Sequence, residues 1–168
     1  FSGGKGLRGP QTAGLVLARP EIIRACAANG SPNHSIGRPM KVGKEELVGM
    51  AKAVEIYLNQ DHDAVYEEWH RQLGVIESAV AEIPGVTITR SEAMYSEGIP
   101  ATRIGIDAAV AGTSAAALGK ALADGNPSIR VGTRPDSLLV VAQFIEKGEE
   151  ATIADRLRQL LRVPVGAR

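Results

Sequence analysis

The 168-residue sequence is poor in cysteine, in aromatic residues and in net charge, and each shortage excludes something. A single cysteine, Cys26, rules out an internal disulfide framework and a cysteine-rich zinc site. Aromatic residues make up 4% of the chain, too few for a surface that stacks on single-stranded bases. Lys plus Arg and Asp plus Glu each number 19, so no net field draws the chain toward nucleic acid or an acidic membrane. No apolar run approaches the roughly 20 residues of a membrane span, and no signal-peptide pattern opens the chain. The expectation is a cytoplasmic protein. Methionine is missing from the first position as well: the chain opens on Phe1-Ser2-Gly3-Gly4-Lys5, which reads like the middle of something longer.

What is present is ordinary for a folded protein. Hydrophobic residues make up 44% and charged residues 23%, over a length that suits about one domain or one domain with an appendage. Residues 1–11 hold four glycines, a proline and two basic residues, a composition suited to a tight loop that keeps backbone close to a ligand. Residues 12–18 form a short apolar run that reads as a buried strand. Pro20 opens a helix carrying Ile22, Ile23 and Ala27, which Asn29-Gly30 stops. Residues 30–43 then contain two prolines and three glycines without a period, a long loop of the kind that carries function or moves.

Helical periodicity follows. Leu47, Met50, Ala51, Val54 and Leu58 share one face, and Val65, Trp69, Leu73, Ile76, Val80 and Ile83 share another until Pro84-Gly85. Residues 59–63 separate two helices or kink a single one. Further on, residues 86–89, 102–107, 128–132 and 137–142 read as strands, Thr113 as the cap of a helix with Leu118, Ala121 and Leu122, and Ile153, Leu157, Leu160 and Leu161 as a last helix. This rhythm predicts a small sheet with helices on one side. The chain divides near residue 60: residues 1–60 read as an end-piece of a larger α/β domain, because one strand and two helices cannot close a sheet, and residues 61–168 as a small α+β domain.

Several short motifs overlap at the start. Gly4-Lys5-Gly6-Leu7-Arg8-Gly9 satisfies G-x-G-x-x-G, but a dinucleotide fingerprint runs from strand into helix, and here Pro10 and an apolar run follow. A P-loop needs Ser or Thr after its lysine, where this chain has Gly6. Ser2-Gly3-Gly4-Lys5 fits the S-x-x-K of penicillin-recognising enzymes, yet no Lys-Thr-Gly follows. What remains is Lys5 in a glycine-rich loop, three residues after a serine. One reading is a solvated lysine in a terminal loop. The other is a Schiff-base lysine, its ammonium (pKa about 10.4 in water) made easier to deprotonate by its surroundings.

Other polar residues carry rival readings too. Arg38 and Lys41, three apart, form either a plain exposed basic loop or a pair suited to a phosphate or carboxylate. His34 is a loop hydrogen-bonder or a proton-transfer group. His62 and His70 lie eight apart on helices with no nearby cysteine and no H-E-x-x-H, so no metal site is expected. Arg130 reads as part of a solvated strand face, and Trp69 as core.

Phe1 to Gln11, Phe-Ser-Gly-Gly-Lys-Gly-Leu-Arg-Gly-Pro-Gln, resembles the cofactor-lysine segment of pyridoxal 5'-phosphate enzymes related to bacterial selenocysteine synthase, in the fold-type-I aminotransferase superfamily. Asn29-Gly30-Ser31-Pro32 and Ser35-Ile36-Gly37-Arg38-Pro39-Met40-Lys41-Val42-Gly43-Lys44-Glu45-Glu46 are similar to the branch of D-glucosaminate-6-phosphate ammonia lyases and selenocysteine-synthase-like proteins. The resemblance covers essentially the whole chain, with its specific motifs in the first 46 residues.

The resemblance implies an α/β architecture: the end-piece of a fold-type-I aminotransferase large domain with a connecting helix (1–60), then a small two-layer α+β C-terminal domain (61–168). It implies pyridoxal 5'-phosphate as cofactor, with Lys5 as Schiff-base lysine and later acid/base at the substrate Cα, and Ser2 near the cofactor phosphate. Gly9 and Gln11 fall in the following loop, near a subunit boundary in related enzymes. Arg38, Lys41 and His34 would face an anionic substrate. Lys41 replaces a second arginine typical of selenocysteine synthase itself, so a small anionic amine such as an amino sugar acid phosphate fits better than a large tRNA.

The reaction so implied is elimination of ammonia or water. A selenocysteine-synthase-like transferase shares its first steps, and a non-catalytic structural or oligomerisation module is a third reading. The aspartate facing the pyridine nitrogen, the group stacking on the ring and most phosphate ligands precede the lysine in this superfamily. The resemblance therefore also implies a preceding segment or partner subunit, and a homodimer or higher homo-oligomer.

Overall fold

Pro20 stands in the first turn of α1 (Pro20–Asn29), where a missing N–H leaves no intrahelical bond unmade, and the Gly30 N–H donates to Ala27 O at 3.3 Å to close the other end. α1 is the first regular element of a computed structural model that describes residues 1–93 and 96–162. The chain separates into two compact units, Phe1–Asp61 and His62–Arg168.

In the first unit, residues 12–18 form no strand. They make a single bridge, Ser2 with Gly14, and Val16 and Leu17 stay exposed. A strand exists only with a neighbour to complete its hydrogen-bond ladder, and this unit holds no second one. α1 buries none of its residues.

α2 (Lys44–Leu58) begins with Glu45 and Glu46, where the helix dipole favours negative charge, and ends with Asn59 Nδ2 donating to Glu55 O at 2.8 Å. Its buried residues are Met50 and Ala53, whereas Leu47 and Leu58 of the expected stripe are exposed. The covered face thus overlaps the one that hydropathy marks at Met50 and is shifted from it toward Ala53. The covering element is a narrow glycine loop that packs on the Gly49, Met50 and Ala53 surface.

The second unit is a two-layer α+β structure. α3 (His62–Val80) is followed by β1 (Val86–Ala93), β2 (Ser96–Ile106), the single turn α4 (Ala108–Ala111), α5 (Ala115–Ala123), β3 (Gly132–Thr133), β4 (Ser137–Val141), a 3-10 turn (Ala142–Phe144) and α6 (Glu149–Arg162). The four strands form an antiparallel sheet in the order β1-β2-β4-β3. Its register sets Ile88 opposite Ile104 and Ile104 opposite Leu138, so one row of branched side chains crosses the sheet on its core face. Against that row pack Leu73, Ile76 and Val80 of α3, Leu118 and Leu122 of α5, and Leu157 and Leu161 of α6. Trp69 is partly buried against the same core, in keeping with its expected place.

Two details depart from the sequence reading. Ser114, not Thr113, caps α5, its Oγ accepting from Ala117 N at 3.2 Å. The strand expected over 128–132 shrinks to Gly132–Thr133, because the Ile129 N–H goes to Leu122 O at 2.9 Å and so leaves the ladder. At the turn into β1, Gly85 has φ of 81° and a Cβ there would lie 2.7 Å from Ala111 N, so both the backbone conformation and the space require glycine.

Charged groups tie the layers together. Arg90 of β1 holds Glu77 of α3 with two hydrogen bonds and donates to His70 Nδ1 at 2.8 Å, while the fully buried Thr102 hydroxyl donates to the same carboxylate. Burial pushes the Glu77 carboxyl up, but the hydrogen bonds from Arg90 and Thr102 outweigh it, and its pKa lies below the usual carboxylate value. Arg71 bridges Glu68 on its own helix and the buried Glu150 of α6, each at 2.7 Å. Its hydrogen bonds lower the pKa of both carboxyls.

Candidate functional site

Lys5 lies in a loop whose shape is fixed by backbone hydrogen bonds. The Gly3 N–H donates to Ala13 O at 2.9 Å, the Gly9 N–H to Gly3 O at 2.8 Å, and the Arg8 N–H to Lys5 O at 2.8 Å. Arg8 has φ of 51°, the left-handed conformation that turns the chain back toward Pro10. The loop closes because glycines allow it. A Cβ at Gly3 would lie 2.6 Å from Pro10 O and would collide with the Met50 side chain, and one at Gly9 would lie 2.9 Å from the Ala53 Cβ. A Cβ at Gly4 would lie 2.6 Å from Gln11 Cγ, so Gln11 folds back over that glycine.

Within this loop Lys5 Nζ donates to Ser2 Oγ at 3.3 Å, and both side chains are exposed in their unit. The structure therefore brings together Lys5 and Ser2, with Gly9 and Gln11 shaping the same turn. An accessible amine is a nucleophile toward carbonyl carbon once deprotonated, and a hydroxyl beside it is a donor for an oxyanion.

His34, Arg38 and Lys41 occupy the second loop, residues 30–43, which is well braced. Asn33 Nδ2 donates to Ala27 O at 2.9 Å, Ser35 Oγ to Asn29 Oδ1 at 2.6 Å, and the Gly37 N–H to Asn29 O at 2.8 Å. Arg38 is half-buried and its Nη1 donates to Pro32 O, which holds the guanidinium within the loop and leaves further N–H groups for an anion. His34 and Lys41 are exposed. No hydrogen bond or ion pair joins Lys5 to Arg38 or Lys41 among the described residues.

Sequence reasoning missed the support under the lysine loop. Met50 lay within its helical stripe, but Ala53 did not, and small residues that receive a glycine loop leave no hydropathy signal. Arg130 is exposed, beside a groove of about 580 Å³ lined by Val131, Leu139, Phe144 and Ile153. Among the described residues no His, Cys, Asp and Glu cluster could hold a metal ion, and no helix is long and apolar enough to cross a membrane.

The chain's relatives are enzymes. It is 30% identical over 164 residues to 5'-C-glycyluridine monooxygenase-decarboxylase of a Streptomyces species, covering 96% of this chain and 40% of that one. It is 27% identical over 163 residues to D-glucosaminate-6-phosphate ammonia lyase of Salmonella typhimurium, covering 95% of this chain and 42% of the relative. The chain thus spans about two-fifths of the length of the curated relatives it matches. The solved structure of a D-glucosaminate-6-phosphate ammonia-lyase superposes with a TM-score of 0.68 at 24% identity, covering 96% of this chain and 42% of that one, and so shares its fold. No family model matches the chain. As the sequence resemblance implied, the chain is similar over nearly its whole length to a D-glucosaminate-6-phosphate ammonia lyase.

Proposed function

We propose that this chain forms the C-terminal part of a cytoplasmic pyridoxal-phosphate-dependent lyase that removes ammonia or water from a small anionic amino acid such as an amino sugar acid phosphate. On this reading the Phe1–Asp61 unit is the end-piece of the cofactor domain and the His62–Arg168 unit is the small domain. The observation that carries it is the Lys5–Ser2 pair, 3.3 Å apart in a loop closed by glycines, in a chain related to an ammonia lyase.

The residues present suit the cofactor. The Lys5 amine is exposed, the Ser2 hydroxyl lies beside it, and the loop's backbone turns so tightly that a Cβ at position 3, 4 or 9 would clash. When bound, the cofactor supplies an electron sink for the bond to be broken at the substrate Cα. Lys5 would hold it covalently and would take and return a proton at the substrate Cα. Ser2 would donate to the cofactor phosphate. Arg38 and Lys41 bind the substrate's anionic group, Arg38 from a fixed position and Lys41 from a mobile stem, and His34 assists proton transfer at the loop.

The first unit also requires cover. Leu17, Val48 and Leu58 are each about 70% exposed or more, and α1 buries nothing. Apolar surface on that scale is covered by polypeptide in a stable protein. The rest of the relatives' length, from a preceding segment or a partner subunit, supplies that cover here, in a homo-oligomer.

The test is to incubate the protein with pyridoxal phosphate, reduce with borohydride and locate the adduct by peptide mass spectrometry, in this chain and in the longest polypeptide that carries it. A specific Lys5 adduct, abolished by Lys5→Ala, supports the proposal. Scattered labelling of surface lysines with Lys5 unmodified in the longer polypeptide refutes it. The 30% identity to a monooxygenase-decarboxylase favours decarboxylation as a second reading. Release of ammonia and a keto acid from a phosphorylated amino sugar acid selects the lyase, whereas carbon dioxide release with oxygen uptake selects the second.

A further inference from the structure

In the Phe1–Asp61 unit, only Gly3, Met50 and Ala53 are buried. α2 leaves Leu47, Val48, Ile56 and Leu58 exposed and commits its covered face to the lysine loop. The contacts are specific. Met50 fills the volume that a side chain at position 3 would need, with its Sδ 3.8 Å from the Cβ position of Gly9, and Ala53 presents a methyl at 2.9 Å from that same position. One turn earlier, Gly49 admits the ring of Pro10, whose Cγ would lie 2.8 Å from a Cβ there. The residues so gripped, positions 3 and 9, are the two ends of the Gly9 N–H to Gly3 O bond that closes the loop around Lys5.

We infer that Met50 and Ala53 are positioning residues: packed behind the loop, they set where the Lys5 amine stands relative to the Ser2 hydroxyl. This rests on the reading of Lys5 as the cofactor lysine. The physical reason is that a glycine-rich loop has little stiffness of its own, since its backbone explores conformations closed to other residues. Close-packed side chains transmit displacement, so a volume change beneath Gly3 or Gly9 moves the closing hydrogen bond and, with it, Lys5. A reacting group misplaced by about 1 Å loses about a hundredfold in rate, so a packing change of one or two methylenes matters.

The test uses the full chain with Ala53→Leu and Met50→Ala, which overfill and empty the contact, Met50→Leu, which conserves volume, and Lys52→Gln on the exposed polar face of the same helix. One readout needs no cofactor: amide hydrogen exchange at Gly3 and Gly9, and the nuclear Overhauser contact between the Lys5 ε-protons and the Ser2 β-protons. The other is the share of borohydride-trapped pyridoxal phosphate found on Lys5. Ala53→Leu and Met50→Ala are expected to speed exchange at both glycines, abolish the Lys5–Ser2 contact and cut the Lys5 share about tenfold. Met50→Leu and Lys52→Gln are expected to resemble the parent, with amide spectra of the His62–Arg168 unit unchanged in all four. An intact Lys5–Ser2 contact and unchanged exchange in Ala53→Leu and Met50→Ala overturn the inference whatever the labelling. Absence of Lys5 labelling in the parent chain and in the longest polypeptide that carries it overturns the cofactor reading instead, and the exchange and Overhauser data still decide on the clamp.

Discussion

Arg90 of β1 grips Glu77 of α3 with Nε at 2.9 Å from Oε1 and Nη2 at 2.8 Å from Oε2, so the guanidinium fork closes on the carboxylate across the layer boundary. The same carboxylate accepts from the Thr102 hydroxyl, which is fully buried on β2. Arg90 also donates to His70 Nδ1, which is an acceptor only while the imidazole is neutral.

This arrangement sets a pH dependence. The Glu77 carboxyl titrates below its ordinary value in the folded state, so its stabilisation is complete above the unfolded pKa and is lost as pH falls through the folded one. Glu68 and Glu150 have the same sign. Urea unfolding followed by circular dichroism from pH 7 to pH 3 is expected to show a falling midpoint below about pH 4.5. Glu77→Gln is expected to flatten part of that slope.

Arg71→Ala is expected to destabilise the His62–Arg168 unit, because it leaves the Glu150 carboxylate, which has little solvent exposure, without its cation. Glu150→Gln in the same background is expected to recover part of the loss. Chemical denaturation of the two single variants and the double variant gives the coupling.

Leu138→Ala is expected to cost about 2–5 kcal/mol, since Leu138 is fully buried in the row of branched side chains beside Ile104. Leu139→Ala, one residue along and only half-buried, is expected to cost distinctly less. Comparing the two by thermal unfolding checks the sheet register, because a slip of one residue would reverse the order.

Gly85→Ala is expected to destabilise by about 1–3 kcal/mol, through its left-handed backbone and the 2.7 Å approach to Ala111 N. Gly98→Ala shares the positive φ but has, among the described residues, no atom within 4 Å of its Cβ position, so there the backbone cost dominates. The difference in unfolding free energy between the two measures the steric part.

The sequence was legible wherever a local signal coincided with a local cause. Periodicity in residues 65–83 placed a long helix, realised as α3, because its apolar stripe meets a core inside the same unit. The apolar run 12–18 misled because hydropathy records a need for cover without saying whether the cover lies in the same unit. Ile129 was read as strand because its backbone donor could not be seen turning to Leu122.

By itself the sequence determined the glycine loop, the lysine three residues from a serine, the helix start at Pro20, and the neutral, cysteine-poor composition. These follow from backbone freedom and side-chain chemistry, both of which act over a few residues. Only the tertiary structure decided that α2 turns Met50 and Ala53 toward the loop, that Arg90 meets Glu77 and Thr102, and that Arg71 reaches Glu150. Those pairings join residues 13 to 79 positions apart in the ion pairs and about 45 in the loop contacts. Over such separations close packing and strand register select partners from many that composition would permit.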